Sequence, residues 1–180
     1  MRDPAMILAL AGALLLTGCS SMVSLEPFVT DDVAVTDPSL VGLWQDSGDG
    51  DKNLMAIRQK GSAYSIRYFG EDKDFSWGFE GRLLRVGDAE LMDFVSTSDN
   101  TFNLPVHMVA RIWTDGGVLK WAYLDSGWIK DKAQQTLGTQ AAGERTLIAV
   151  KGAALVEFLK KYGADEKACG DKTQELIRVQ

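Results

Sequence analysis

From Val41 to Asp125 the hydrophobic pattern alternates every second residue, and glycine-bearing turns cut it into short runs. A period of two places successive side chains on opposite faces of an extended chain, which defines half-buried strands and excludes a helix, whose period is 3.6. The pattern predicts strands at 41–46, 53–60, 63–69, 75–86, 89–97, 106–114 and 118–125. Lys60-Gly61-Ser62, Gly87-Asp88 and Asp115-Gly116-Gly117 each supply a glycine where a tight hairpin needs positive φ. Strands joined in this way form an antiparallel meander. On the fourth run Phe75, Trp77, Phe79, Gly81 and Leu83 share one face, and Ser76, Gly78, Glu80 and Arg82 share the other. Tyr64, Ile66 and Tyr68 repeat the alternation, as do Leu119, Trp121 and Tyr123. One face of the predicted sheet is therefore strongly aromatic.

After Asp125 the period changes. Ser126 can cap a short helix reaching about Thr136, with Trp128, Ile129 and Ala133 on its buried side. Residues 138–143 read as a loop and 145–151 as an eighth strand. Leu155, Phe158, Leu159 and Tyr162 then fall at i, i+3, i+4 and i+7, Lys160 and Lys161 sit in the last turn, and Gly163 follows as a stop. This is an amphipathic helix at about 152–162 that must dock by its apolar stripe. Leu176 to Val179 make a final short strand. The expected class is mainly β: a meander of about eight strands, an inserted helix, a C-terminal amphipathic helix and a closing strand.

Upstream of the meander, Ile7 to Leu16 is an unbroken run of apolar residues and glycine behind Arg2. It has the length of a signal-peptide core and is too short to span a bilayer. The run ends in Leu16-Thr17-Gly18-Cys19, which resembles the lipobox of bacterial lipoproteins. The resemblance implies cleavage before Cys19, lipidation of its thiol, and a membrane attachment with two or three acyl chains, far firmer than one chain provides. Ser20 and Ser21 stand where that family places an inner-membrane retention aspartate. The implied address is therefore the inner leaflet of an outer membrane, facing the periplasm. With Cys19 consumed, Cys169 has no partner for an intramolecular disulfide. The stretch from Ser20 to Ser39 lacks sustained periodicity and reads as a flexible tether of about 25 Å reach. The expected organisation is a signal peptide at 1–18, a lipidated tether at 19–39 and one β domain at 40–180.

Within that domain Gly42-Leu43-Trp44 is similar to the Gly-x-Trp signature on the first strand of lipocalins and their calycin relatives. The resemblance implies a barrel flanked or plugged by a helix, with the tryptophan closing one end beneath an arginine from late in the chain. Arg145 and Arg178 are the candidates. A flattened sheet or sandwich packed on the two helices is the competing architecture.

The chemistry the residues can support is narrow. A net charge of −6 excludes a polyanion-binding surface as the leading idea, so nucleic acid is not an expected partner. With one histidine, His107, no catalytic zinc set of several imidazoles can be built, and on its strand-like run that histidine reads as a solvent-face residue. No nucleophile elbow, phosphate loop or dinucleotide fingerprint occurs, so neither an enzyme nor a cofactor is expected. Asp46, Asp49 and Asp51 imitate a calcium loop, but Leu54 replaces its required glycine and the segment reads as an exposed hairpin tip. Arg58 and Asp93 read as inward-facing and, if buried, as a pair. Tyr64, Trp77, Phe79, Trp121 and Tyr123 are the candidate ligand-binding residues; they either fill a core or line a cavity. Interior space of about 300 Å³ or more would make the protein a carrier of a small apolar ligand. Native-density packing would make it an interaction module, such as an envelope assembly accessory or an enzyme inhibitor.

Overall fold

The computed structural model describes residues 22–48, 53–70, 76–97, 104–124, 126–142, 145–169 and 173–179 of the 180-residue chain. The signal-peptide segment, Cys19 and Phe75 lie outside these residues. The strands are β1 (Met22–Ser24), β2 (Gly42–Asp46), β3 (Leu54–Lys60), β4 (Ala63–Phe69), β5 (Ser76–Val86), β6 (Ala89–Ser96), β7 (His107–Asp115), β8 (Val118–Tyr123), β9 (Thr139–Ala142), β10 (Arg145–Ile148) and β11 (Gln174–Arg178). The helices are α1 (Ser126–Thr136) and α2 (Gly152–Tyr162), with single 3-10 turns at Pro38–Leu40 and Glu166–Ala168.

The meander from β2 to β8 runs antiparallel throughout, and β11 pairs with both β8 and β2. Among the described residues this closes a barrel of eight strands, so the competing sandwich is excluded. Turn chemistry drives the meander: Gly116 and Gly117 hold φ at 58° and 84°, a left-handed pair that matches the twist of the hairpin they join.

Two cores result, one on each side of the barrel wall. Inside, Leu40, Trp44, Ile57, Tyr64, Leu83, Leu119 and Leu176 pack at one end. Outside, Leu84, Leu91 and Val109 on β5, β6 and β7 are covered by Ile129 and Ala133 of α1 and by Leu155, Phe158 and Leu159 of α2. The stripe read in α2 is the one it buries. Gly163 follows this helix for a reason other than handedness: its φ is −68°, and a Cβ there would run into Leu91 and the Leu159 carbonyl.

The expected eighth strand is not a barrel strand. β10 ends at Ile148 and lies outside the barrel, parallel to β1 and antiparallel to β9, and the short final strand takes its place in the ring. Residues 139–142, read as loop, are the edge strand β9; they lack apolar alternation because β10 alone holds them. The flexible tether is also corrected. β1 pairs with β10 and meets β7 at His107, Phe28 and Val29 are fully buried in the outer core, and Val35 bridges to Leu83. Residues 22–39 are thus a structural strap, and their irregular pattern follows from packing on a finished barrel wall instead of forming a regular element.

Candidate functional site

The barrel interior divides into a sealed end and an open one. Trp44 on β2 is 1% exposed and donates its indole Nε1–H to the Leu40 carbonyl at 3.0 Å. The Arg178 guanidinium lies 4.3 Å from the centre of the Trp44 ring, donating from Nη1 to Val41 O at 2.9 Å and from Nη2 to Ser39 O at 2.7 Å. Of the two candidate arginines, Arg178 therefore covers the tryptophan; the side chain of Arg145 lies outside the described ones. Gly42 makes room for this lid, since a Cβ there would sit 2.7 Å from Nη1. On β4, the Tyr64 hydroxyl accepts from Asp37 N at 2.6 Å and donates to Asp37 O at 3.2 Å. Backbone groups of the Asp37–Val41 turn are thus held by three side chains from different strands, and Leu40 is driven into the barrel as a stopper.

Above this floor lies a cavity of about 430 Å³. Register explains its walls. Residues in phase with Trp44 face inward around the ring: Met55 pairs with Trp44, Tyr68 with Met55, and Trp77 with Tyr68, and the cross-strand neighbours continue through β8 to Gln174. Its aliphatic lining comes from Met55, Ile57, Ile66, Met92 and Ile112. Its aromatic lining includes a chain of rings: Phe79 meets Phe94 edge-on at 5.7 Å, Phe94 meets Tyr123 at 5.8 Å, and Tyr123 meets Trp121 edge-on at 4.9 Å. Ala110 on β7, between the strands of Phe94 and Tyr123, also lines the cavity.

The mouth is amphipathic. Trp77 and Tyr123 are about half exposed there, at 51% and 48%. Asp46, the last residue of β2, contributes the carboxylate among the lining residues, joined by the Tyr68 hydroxyl and Gln174. Asn53 Nδ2 donates to Asp46 Oδ2 at 2.8 Å, and the Tyr68 hydroxyl lies 3.4 Å from the same oxygen. The apolar surroundings raise the Tyr123 hydroxyl above its ordinary pKa, so it stays a neutral donor.

Four of the five aromatic candidates, Trp77, Phe79, Trp121 and Tyr123, line the cavity. Tyr64 does not. It shares their inward phase but sits lower, fully buried in the floor. The reading of Asp46 as part of an exposed tip is corrected. It stands two residues beyond Trp44 on the same strand, and that phase alone points it inward.

Asp93 and Arg58 do not form a pair. Arg58 is exposed, whereas Asp93, 2% exposed, faces away from the cavity and is buried beneath the strap. Its carboxylate accepts from Val29 N at 3.1 Å and from His107 Nδ1, which lies 3.0 and 3.2 Å from its two oxygens. His107 is accordingly a mostly buried partner of Asp93 and not a solvent-face residue. Among the described residues no group of three or more His, Cys, Asp or Glu side chains is placed to hold a metal ion.

Fold and site together define a closed eight-stranded antiparallel barrel with one sealed end and an apolar chamber. Comparison with protein-family models, with curated proteins and with solved structures found no match.

Proposed function

We propose that this chain is a non-enzymatic, lipocalin-like carrier that binds a small apolar ligand in the barrel and is held by a lipid on Cys19 at the periplasmic face of an outer membrane. The observation that carries the reading is the cavity of about 430 Å³, within the range of small-molecule pockets and walled almost wholly by hydrophobic and aromatic side chains. A solid-cored interaction module would pack these residues to native density, so the cavity favours the carrier. The Gly42, Trp44 and Arg178 arrangement supports the lipocalin-like part of the reading, and the lipobox resemblance supports the anchor and the address.

Titration of the soluble domain, residues 20–180, with the neutral fluorescent probe N-phenyl-1-naphthylamine tests the reading. Saturable binding of one probe per chain is expected, with quenching of tryptophan emission and weakening by Trp121→Ala. Absence of saturable binding refutes the carrier.

A further inference from the structure

We infer that the barrel selects amphiphiles by the charge of their head group, favouring an amine or other cationic head over a carboxylate. The inference rests on the carrier reading and concerns the chemistry of the mouth.

Among the described residues that line the cavity Asp46 is the one carboxylate, and none is a lysine, arginine or histidine. Its bonds to Asn53 and Tyr68 both fall on Oδ2. Among the described residues Oδ1 takes no donor, which leaves a carboxylate oxygen available at the point where a polar head would emerge from the chamber. Neither of these two donors is charged, so they stabilise the negative charge without neutralising it. An ammonium group here replaces part of its lost hydration by a charge-assisted hydrogen bond. The neighbouring electron-rich faces of Tyr68, Trp77 and Trp121 also attract cations and offer nothing to anions. A carboxylate head would meet Asp46 as a like charge and be repelled. The chain's net charge of −6 acts in the same direction at long range, steering cations toward the protein. The apolar depth below the mouth takes the tail.

Competition at pH 7 between bound N-phenyl-1-naphthylamine and dodecylamine, dodecanol or dodecanoate, each below its micelle concentration, tests this. Dodecylamine is expected to displace the probe at roughly tenfold lower concentration than dodecanoate. Asp46→Asn should bring the ratio close to one, and Asp46→Ser carries the same test if the asparagine variant does not fold. Glu157→Gln removes one exposed negative charge away from the barrel mouth and should leave the ratio unchanged, which separates local contact from overall charge. If dodecanol displaces the probe but the amine has no advantage, or keeps its advantage in the neutral Asp46 variants, the head-group inference is overturned while the carrier stands. If none of the three displaces the probe, the carrier reading fails and the inference with it.

Discussion

Two tryptophans inside one barrel should differ sharply in what they contribute to stability. Trp44 is fully enclosed in the floor, capped by Arg178 and hydrogen-bonded to Leu40. Trp44→Ala removes a whole indole from a filled core and orphans a buried carbonyl, so its cost should lie at the upper end of large-to-small substitutions, about 4–5 kcal/mol. Trp121 is half-buried, touches Tyr123 edge-on and turns part of its surface to the cavity. With one face already turned to open space, Trp121→Ala should cost less, about 1.5–2.5 kcal/mol. Urea unfolding followed by far-UV circular dichroism gives both values without relying on the fluorophores removed. Because about 5 kcal/mol can exhaust a small domain's stability, Trp44→Phe serves as a milder partner; it should cost about 1–2 kcal/mol through the lost indole bond and ring volume. If Trp121→Ala proves as costly as Trp44→Ala within about 0.5 kcal/mol, the space beside Trp121 is filled in solution and the argument from the cavity fails.

Phe158→Ala, in the outer core under α2, should cost about 3–5 kcal/mol by urea unfolding; a loss below about 1 kcal/mol would show that the helix is peripheral. Asp93→Ala leaves the Val29 amide and His107 without their acceptor and should cost about 1–3 kcal/mol, with Asp93→Asn milder because it keeps an acceptor oxygen. Burial raises the pKa of the Tyr64 hydroxyl and, against the pull of Arg111, of the Cys169 thiol. Both groups therefore stay neutral in the folded protein after the unfolded chain would ionise. Their contribution is complete below about pH 8 and is lost as pH rises through the thiol and phenol ranges, so the urea midpoint should fall above about pH 9 and Cys169→Ala should delay that fall. For the anchor, Cys19→Ser should abolish metabolic labelling by palmitate; retention of the label on the mature variant would refute lipidation.

Much of the barrel was legible because a period of two carries both element type and side-chain direction. Trp77, Phe79, Trp121 and Tyr123 face inward as their alternation with Ser76, Gly78 and Lys120 indicates. The same phase, continued from Trp44, would have placed Asp46 in the mouth, but its company of aspartates and glycines read as a hairpin tip. Asp93 was illegible for a different reason. Its burial comes from the strap, a stretch 64 residues away that has no period of its own and shows its role only once a wall exists to pack on. The place of β10 was misread because consecutive elements are usually neighbours, whereas the chain leaves the barrel after β8 and returns only at β11.

That return has a kinetic meaning. The seven strands from β2 to β8 can assemble hairpin by hairpin from near-neighbour contacts, but the contacts of Arg178 with Val41 and Ser39 join residues 137 and 139 positions apart. Closures of such range are slow, so the seam on either side of β11 is expected to zip late. Until it does, β2 and β8 are two unpaired edges flanking an apolar interior, a template for pairing between chains. Removing residues 174–180 would make that transient species permanent, and the truncated chain should aggregate under conditions where the full chain refolds. The open seven-stranded sheet is the state a folding chaperone would have to hold.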